Sequence, residues 1–487
     1  MNGMTIVTDH SLLRYRRTKI IATVGPASGT ASRLAELIAA GVDVFRVNFS
    51  HGAHATHGEV IATIRKVAAE AGKPIAILAD LCGPKIRCGR FPDGPITLTI
   101  GGHVTVTTRD VPGTSTLIPS QYHELHNDVR PGNRILLADG AMELKVLAVD
   151  GSEIECEVIQ GGELSDHKGI NLPGVKVSAA SLTDKDRADA AFALAAGVDF
   201  VALSFVRSGE DVRALRDLVD AARHPARIIA KIEKPEALAA IRDILDAADG
   251  IMVARGDLGV ELNPEQVPLA QRQLIDMGRA ANKPVIVATQ MLESMISSAR
   301  PTRAEATDVA NAVSAGTDAV MLSGESAVGA FPVEAVKMMD RIARQTESYH
   351  FHTRTGHPAP PNSAPGEPVG FGDAIADATA QLVHAVAAKA VIVITQGGMS
   401  AGTVSASRPE APIIAVTDSA ATARVLNLMW GIVPVADGSV GQEKPYPVAR
   451  RIAQAMDLGL PGEYIVLVRG FSADPELNTP TISLLAI

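Results

Sequence analysis

The sequence has few cysteines, few aromatic residues and no basic excess, and each shortage excludes a class of protein. Three cysteines in 487 residues are too few and odd in number for a disulfide scaffold, which predicts free thiols in a reducing cytoplasm. Lysine and arginine number 45 against 54 aspartates and glutamates, a net charge of −9, so a nucleic-acid-binding protein is not expected. Aromatic residues make up only 3%, so aliphatic side chains must build the core.

Long apolar runs are also missing from the sequence. A membrane-spanning helix needs about 18 or more consecutive apolar residues, and the richest stretch, 188–206, is interrupted by Asp189 and Asp199. The basic start is not followed by the long apolar run and cleavage site of a signal peptide. We therefore expect a soluble, cytoplasmic protein without a membrane partner, and its length suggests about three domains.

The sequence does contain a repeated alternation of short apolar runs and helical segments. Eight apolar runs of strand length precede residue 323, at 20–24, 44–49, 75–79, 200–206, 228–232, 251–254, 284–288 and 319–322. Segments with 3.6-residue periodicity separate them, as at 31–40, 235–248, 264–281 and 303–315. Eight strands alternating with helices predict an α/β fold with a closed (β/α)8 barrel of the TIM type. An open doubly wound sheet has the same alternation and is the alternative.

Two interruptions define the expected domains. The interval between Asp80 and Phe200 alternates polar and apolar residues around hairpin signals such as Asp139-Gly140, which predicts a small β-barrel-like lid domain inserted over the barrel mouth. A proline-rich stretch from Pro358 to Pro368 predicts a linker. The expected parts are an arm (1–17), a barrel (18–87 and 181–346), the lid (88–180), a linker (347–371) and a C-terminal α/β domain (372–487).

Polar or charged residues stand at the ends of the last seven of the eight barrel runs. They are Arg46, Asn48, Ser50, His51, Asp80, Ser204, Lys231, Glu233, Asp257, Thr289 and Ser323. The C-terminal ends of barrel strands ring one face, which we call the barrel mouth, where active sites of this fold lie. A single such residue is as often a cap or an ion-pair partner, but seven strands ending this way predict a functional site.

The chemistry of these residue types points to metal-assisted work on an anion. Glu233 and Asp257 offer the carboxylate oxygens that Mg²⁺ prefers, while Arg46 and Lys231 are cations suited to a phosphate. Gly256 allows close approach of backbone N–H groups to a carboxylate. The set fits phosphoryl transfer, and it fits equally an enolate stabilised by a metal.

Long motifs in a fixed order carry a family resemblance. They are RTKIIATVGP (17–26), RVNFSHG (46–52), GPKIR (83–87), GINLPG (169–174), KIE (231–233), GIMVARGDLG (250–259), ATQMLESM (288–295), PTRAE (301–305) and MLSGE (321–325). With them the sequence resembles the pyruvate kinase family over residues 17–345, and more loosely through the C-terminal domain. The resemblance implies transfer of a phosphoryl group from phosphoenolpyruvate to ADP, giving pyruvate and ATP in the last step of glycolysis, by a homotetramer.

The resemblance also implies a role for each matched residue. Lys231 would stabilise the migrating phosphoryl group and the enolate oxygen, Arg46 would hold the phosphate, and Glu233 and Asp257 would bind Mg²⁺ or Mn²⁺. The amides of Gly256 and Asp257, with Thr289, would hold the substrate carboxylate, and Thr289 and Ser323 would lie near the route that protonates enolpyruvate. The residues that would face the nucleotide are Asn48, His51, Arg87 and Lys168.

One departure from the family concerns monovalent cations. Many pyruvate kinases bind K⁺ at positions matching Asn48, Ser50 and Asp80, and potassium-dependent members carry threonine and glutamate where this sequence has Leu81 and Lys85. A lysine ammonium near Asp80 can supply the charge of K⁺. We therefore expect activity without K⁺, the alternative being that Lys85 points to solvent.

A second departure lies in the C-terminal domain. Relatives activated by fructose 1,6-bisphosphate carry a lysine in a Thr/Ser-rich loop, whereas this loop reads TQGGMS (395–400) and the facing segment carries Asp474 and Glu476. We therefore expect no strong bisphosphate activation. The hydroxyls and amides around Thr395, Ser400 and Thr403 could still bind an effector that carries a single phosphate. The alternative is that the loop is an ordinary solvent-exposed turn.

Two other functions fit part of the pattern. A Mg²⁺-dependent aldolase or lyase on the same barrel also forms a pyruvate enolate, but it would need neither the inserted lid nor Arg87 and Lys168. A barrel that only senses metabolites would not need the complete set of matched catalytic residues.

Overall fold

The structure is a computed structural model that describes residues 12–353, 370–471, 476 and 478–487. The strands of these ranges, in chain order, are β1 (Lys19–Thr23), β2 (Val44–Asn48), β3 (Ala76–Asp80), β4 (Ile96–Leu98), β5 (His103–Thr107), β6 (Leu117–Pro119), β7 (Arg134–Leu137), β8 (Met142–Asp150), β9 (Glu153–Gln160), β10 (Gly162–Leu164), β11 (Ile170–Asn171), β12 (Phe200–Leu203), β13 (Arg227–Ile232), β14 (Gly250–Ala254), β15 (Val285–Ala288), β16 (Ala319–Leu322), β17 (Val391–Ile394), β18 (Ile413–Thr417), β19 (Ile432–Ala436), β20 (Tyr464–Arg469) and β21 (Thr481–Ala486).

The α-helices of the same ranges are α1 (Ala31–Ala40), α2 (His54–Glu70), α3 (Leu125–Asp128), α4 (Asp184–Ala195), α5 (Gly209–Ala221), α6 (Pro235–Ala239), α7 (Ile241–Ala247), α8 (Arg255–Glu261), α9 (Val267–Ala280), α10 (Arg303–Ser314), α11 (Gly324–Ala327), α12 (Pro332–Thr353), α13 (Phe371–Val386), α14 (Met399–Ala406), α15 (Ala420–Leu426) and α16 (Pro445–Ala455). Every helix in the described ranges is too short or too polar to cross a lipid bilayer.

Eight parallel strands close into the predicted barrel. Going round the ring the order is β1, β2, β3, β12, β13, β14, β15 and β16, which pairs with β1 again. Strand β12 is three residues shorter than the apolar run that predicts it, since it ends at Leu203 rather than at residue 206. The chain leaves the sheet there because Phe205 adopts a left-handed conformation with φ of 54°.

The barrel interior is aliphatic, as the composition predicts. Side chains such as Ile21, Ile229 and Ile286 fill it and are fully buried, and two residues of the C-terminal domain, Val425 and Leu428, belong to the same apolar cluster. Residues that alternate with these along the strands pack outward against the helices. The floor of the barrel is therefore completed by another domain.

The inserted β-domain, formed by β4–β11 with α3, lies between the third and fourth barrel strands. A six-stranded sheet has the order β11-β7-β8-β9-β5-β6, a two-stranded sheet pairs β10 with β4, and both cover a core of their own. The predicted hairpins are present, since β7 pairs with β8 and β8 with β9 across the Asp139-Gly140 and Asp150-Gly151 turns.

The three cysteines are free, as expected. Cys88 and Cys156 are buried in the core of the inserted β-domain, whereas Cys82 is half-buried. Burial raises the pKa of the Cys156 thiol to about 12 and also raises the pKa of Cys88. The two buried thiols therefore act as small apolar side chains.

The C-terminal domain is a five-stranded sheet in the order β19-β18-β17-β20-β21, in which only β21 is antiparallel. Two of its elements, β19 and α16, are absent from the sequence-based expectation. Pro434 disguises β19, and it is tolerated because β19 is an edge strand. Helix α16 begins at Pro445, a start signal that could have revealed it.

The predicted linker begins later than residue 347. Helix α12 continues to Thr353, and Glu347 and Ser348 are buried in its last turns. The carboxylate of Glu347 accepts hydrogen bonds from the backbone amides of Arg17 and Thr18, so this end of the helix packs on the N-terminal arm. The proline-rich stretch itself, with Asp474, lies outside the described residues.

A buried ion pair joins the barrel to the C-terminal domain. Arg408 lies over the ring of Trp430, 5.0 Å from its centroid, and its guanidinium is 3.1 Å from the Asp318 carboxylate. Asp318 also accepts the backbone amides of Trp430 and Val285. Burial lowers the pKa of Arg408, although Asp318 partly offsets that effect. The pair closes the interface without exposing a charge.

Replacing Arg408 by leucine should lower the free energy of unfolding by about 3–5 kcal/mol, because Asp318 would remain buried without its cation. The measurement is the midpoint of urea-induced unfolding. Arg33→Leu, which breaks an exposed pair with Glu36, is the matched control and should shift stability by no more than about 1 kcal/mol. Equal shifts for the two variants would contradict the interpretation.

Candidate active site

The strand-end residues meet at the barrel mouth around the buried carboxylate of Asp80. Arg46, on β2, donates from Nε to Asp80 Oδ2 at 2.6 Å. Lys231, on β13, lies with Nζ 3.4 Å from Asp80 Oδ1 and 2.8 Å from Glu233 Oε1, and it donates to Ser204 Oγ at 2.7 Å. The side chains of Arg46 and Lys231 are 12% exposed and those of Asp80 and Glu233 are 1% exposed, so solvent has little access to the cluster.

The charges of this cluster depend on one another. Burial alone would lower the pKa of Lys231, but Asp80 and Glu233 outweigh it and hold the pKa above its ordinary value, so the side chain is an ammonium ion. Burial would raise the pKa of Asp80, but Lys231 and Arg46 hold it below the usual value. For Glu233 burial and the nearby Asp257 prevail over Lys231, and the pKa is raised.

Glu233 is fixed by a backbone group that sequence reasoning missed. The amide of Phe205 donates to Glu233 Oε2 at 2.7 Å, and the preceding residue, Ser204, donates from Oγ to the carbonyl of Leu81. The left-handed φ of Phe205 turns its amide toward the carboxylate. An apolar run that reads as continuing strand carries no signal for this turn.

A second group of residues lies where β14 ends and α8 begins. The amide of Gly256 donates to Thr289 Oγ1 at 2.7 Å, and Thr289 in turn donates to the carbonyl of Ala288. Asp257, one residue further along α8, is partly exposed and lines a cleft toward the inserted β-domain. The structure thus brings Gly256, Asp257 and Thr289 together, as the resemblance implies.

The backbone of this second group is held in an uncommon conformation. Thr289 and Gln290 have φ of 68° and 53°, a left-handed pair that costs free energy in residues other than glycine. Arg255 stabilises the pair, since Nη2 donates to the carbonyl of Thr289 at 2.7 Å while Nη1 lies 2.6 Å from Asp308. This role of Arg255 was missed, although the residue lies within a quoted motif.

Ser323 follows β16, the strand beside β15. Its side chain is partly exposed at the mouth, and its amide donates to Glu325 Oε2 at 2.7 Å. The fully buried Glu325 also accepts the amide of Leu292, so one carboxylate joins the loops that follow β15 and β16.

The four residues expected to face the nucleotide form two groups. At the end of β2, Asn48 accepts the amide of Ser50 at 3.2 Å, and His51 is exposed in the loop that follows. At the base of the inserted β-domain, Arg87 donates to the carbonyl of His167 at 3.0 Å and bridges to Gly169. Lys168, exposed between those two residues, therefore lies beside Arg87.

The expected monovalent-cation position has a clear geometry. Asn48 lies opposite Asp80 in the pairing of β2 with β3, and Ser50 is two residues further along. Among the described residues, the cations that reach Asp80 are Arg46 and Lys231. Lys85 is exposed and lines the cleft that also contains Asp257, so the structure does not bring it to Asp80.

The candidate effector loop differs from a simple solvent turn. Thr395, Ser400 and Thr403 are all at least nine-tenths buried, and Thr395 Oγ1 accepts the amide of Gly398. The loop has no basic residue of its own, but Arg227 at the start of β13 donates to the carbonyl of Gly397 at 2.9 Å. The loop thus faces a cleft between the barrel and the C-terminal domain, which Lys283 also lines.

Comparisons with known proteins identify the family of the chain. The family model "Pyruvate kinase, barrel domain" matches residues 15–336, and "Pyruvate kinase, alpha/beta domain" matches residues 373–484. A curated pyruvate kinase of Agrobacterium vitis is 44% identical over 97% of both chains. One of Geobacillus stearothermophilus is 47% identical over 86% of this chain and 71% of its own.

A solved structure extends the likeness to three dimensions. The pyruvate kinase of Cryptosporidium parvum superimposes with a TM-score of 0.88 and 38% sequence identity, covering 96% of each chain. The two family models together span both the barrel that carries the buried cluster and the C-terminal domain behind it. The chain belongs to the pyruvate kinase family of phosphotransferases.

Proposed function

We propose that the barrel mouth is the site at which this pyruvate kinase acts on phosphoenolpyruvate and ADP, with Lys231 and Arg46 as the phosphate-binding cations. The observation that carries the proposal is the buried cluster itself, in which Asp80 orients both cations from one side. Lys231 would stabilise the migrating phosphoryl group and the enolate oxygen, a role suited to an ammonium ion whose pKa Asp80 and Glu233 raise. Arg46 would hold the phosphate before transfer.

The residues that would bind the divalent metal are Glu233 and Asp257, and their chemistry fits Mg²⁺ or Mn²⁺. The two carboxylates are close enough for Asp257 to raise the pKa of Glu233, a repulsion that a divalent cation would relieve. The described residues hold no cluster of three or more metal-ligating side chains. A site with two protein carboxylates, completed by substrate oxygens and water, is typical of Mg²⁺. The metal would neutralise charge on the transferring group.

The second group would bind the substrate carboxylate. The amide of Gly256 and the hydroxyl of Thr289 are bonded to each other and to Ala288 in the structure, so an entering carboxylate would exchange those internal contacts for its own. The amide of Asp257 would add a further donor at the start of α8. Thr289 and Ser323 lie at the ends of neighbouring strands and would line the route by which enolpyruvate is protonated.

The nucleotide would lie between the two remaining groups, with Asn48 and His51 on the barrel and Arg87 and Lys168 on the inserted β-domain. Closure of that domain would exclude water from a phosphoryl group that water could otherwise accept. We further propose that the chain forms a homotetramer, works in the cytoplasm, and binds no nucleic acid or membrane. The acidic net charge suits a soluble enzyme of this kind.

We also propose that the enzyme needs no K⁺ and responds only weakly to fructose 1,6-bisphosphate. Lys85 replaces the glutamate of potassium-dependent relatives, and its long side chain lines a cleft next to Asp257, within the charged region of the mouth. For the effector loop, Arg227 supplies one cation at the barrel side of the cleft. Lys283, which also lines the cleft, donates to the carbonyl of Ala248, so Arg227 is the cation that contacts the loop itself. One such cation with the N-terminus of α14 suits one phosphate better than two.

The activity is tested by a coupled assay for pyruvate. Product should form only when phosphoenolpyruvate, ADP and Mg²⁺ are all present, and Lys231→Met should lower kcat by roughly a thousandfold or more, because charge stabilisation is lost. Lys389→Met, which removes an exposed lysine of the C-terminal domain paired with Glu463, is the control and should be as active as the wild type. Pyruvate formation from phosphoenolpyruvate without ADP would mean that water accepts the phosphoryl group, and it would contradict the proposed transfer to ADP.

Potassium dependence is tested in buffer free of Na⁺ and K⁺. Addition of K⁺ should change the wild-type rate by less than about twofold, because Leu81 and Lys85 replace the threonine and glutamate that potassium-dependent relatives carry. Lys85→Glu should lower the potassium-free rate and make the enzyme responsive to K⁺. A many-fold rise of the wild-type rate on adding K⁺ would refute the prediction.

Effector binding is tested by substrate-saturation curves recorded with sugar monophosphates, AMP and fructose 1,6-bisphosphate. We expect less than about a twofold change in the half-saturating phosphoenolpyruvate concentration with the bisphosphate. Arg227→Met should abolish any leftward shift produced by a monophosphate while leaving the unstimulated curve in place. A large leftward shift with the bisphosphate would contradict the weak response.

A further inference from the structure

Helix α4, which follows the inserted β-domain, contacts both barrel loops that carry residues assigned above to the nucleotide. The first turn of α4 reaches the loop after β3, which leads to Lys85 and Arg87. The same turn of α4 also reaches the loop after β2, which follows Asn48 and carries His51. Neither contact follows from the motifs quoted above, since α4 lies outside all of them.

The contact to the loop after β3 is made by Asp186. Its side chain is fully buried, and Oδ1 accepts the backbone amide of Gly83 at 3.1 Å. Its Oδ2 accepts the amide of Thr183 at 3.0 Å and the Thr183 hydroxyl at 2.5 Å, which completes a capping box at the start of α4. The two oxygens of one carboxylate therefore serve two purposes, a helix cap and a tether for another loop.

The tethered turn has little freedom once Gly83 is held. Gly83 has φ of 68°, and a Cβ there would lie 2.7 Å from the ring of Phe205 and 3.0 Å from Ser204. Its carbonyl accepts the amide of Lys85 at 2.9 Å, so the bond to Asp186 is made at the first residue of a tight turn. Arg87 follows Lys85 by two residues, and its guanidinium donates to the carbonyl of His167.

The contact to the loop after β2 is made on the same helix. Lys185 donates from Nζ to the carbonyl of Phe49 at 2.8 Å and pairs with Asp189 one turn further along. Asp189 also binds His54 Nε2 at 2.7 Å, at the start of α2. Since Lys185 and His54 are exposed, these contacts are individually weaker than that of the buried Asp186.

We propose that Asp186 is a positioning residue for the nucleotide, which it serves by tethering the turn that presents Arg87. The inference rests on the proposed assignment of Arg87 to the nucleotide. Without the bond to Asp186, the turn at Gly83 can move relative to Phe205. Arg87, which follows this turn, is then less often oriented correctly toward the ADP phosphates. Phosphoenolpyruvate, held by Arg46 and Lys231 on other strands, is unaffected.

The test compares Asp186→Ala with Thr183→Ala in the full-length enzyme. Both variants weaken the cap of α4, but only the first removes the tether to Gly83. We expect Asp186→Ala to raise the KM for ADP by roughly tenfold or more, the effect of losing one hydrogen bond to a charged group, with the KM for phosphoenolpyruvate unchanged. Thr183→Ala should leave both KM values within about twofold of the wild type.

Two further variants make the outcome decisive. Asp186→Asn keeps the shape, and its single acceptor oxygen can serve either Gly83 or Thr183 but not both. It replaces Asp186→Ala if the latter does not fold, and it should raise the KM for ADP by a smaller factor while leaving the KM for phosphoenolpyruvate unchanged. Arg87→Ala tests the assignment of Arg87 to the nucleotide separately from the positioning role of Asp186. If Arg87→Ala weakens ADP binding while Asp186 and Thr183 variants behave alike, or if Asp186 variants raise both KM values equally, the positioning role is overturned. If Arg87→Ala leaves the KM for ADP unchanged, the nucleotide assignment fails, and the inference fails with it.

Discussion

The ion-pair cluster around Asp80 is the constraint on which the rest of the mouth depends. A carboxylate that is 1% exposed is costly unless cations meet it, and here Arg46 and Lys231 reach it from neighbouring parts of the barrel. The same contacts fix the direction of both cations before any substrate arrives. Because no reorganisation is then needed when charge develops, the cluster acts as a preformed electrostatic environment.

Under the proposed function, the barrel makes this local cluster a site for anions on an acidic protein. With a net charge of −9 the surface as a whole repels phosphate, yet strand ends bring cations and amides into one recess where solvent screens them little. Several backbone groups contribute as much as side chains do. The amides of Phe205 and Gly256 hold Glu233 and Thr289, and each lies two residues after the end of a barrel strand.

The closed barrel, the inserted domain and the strand-end residues could be predicted because buried strands, hairpin turns and long motifs are local in the sequence. What could not be predicted depends on contacts between distant segments. The left-handed turn at Phe205 brings its amide to Glu233, the continuation of α12 brings Glu347 to the amides of Arg17 and Thr18, and the cation at the candidate effector loop comes from Arg227 on the barrel. A loop that lacks a basic residue in sequence can still face one in space.

The floor of the barrel has a consequence of a different kind. Val425 and Leu428 belong to the C-terminal domain, yet they are part of the apolar cluster that fills the barrel interior. Removing a domain that only contacted the outside of the barrel would leave the barrel core intact. Removing this domain would expose one end of the apolar barrel interior to water. The two domains are therefore expected to be retained together in evolution, because loss of the C-terminal domain would require new side chains to fill the end of the barrel interior.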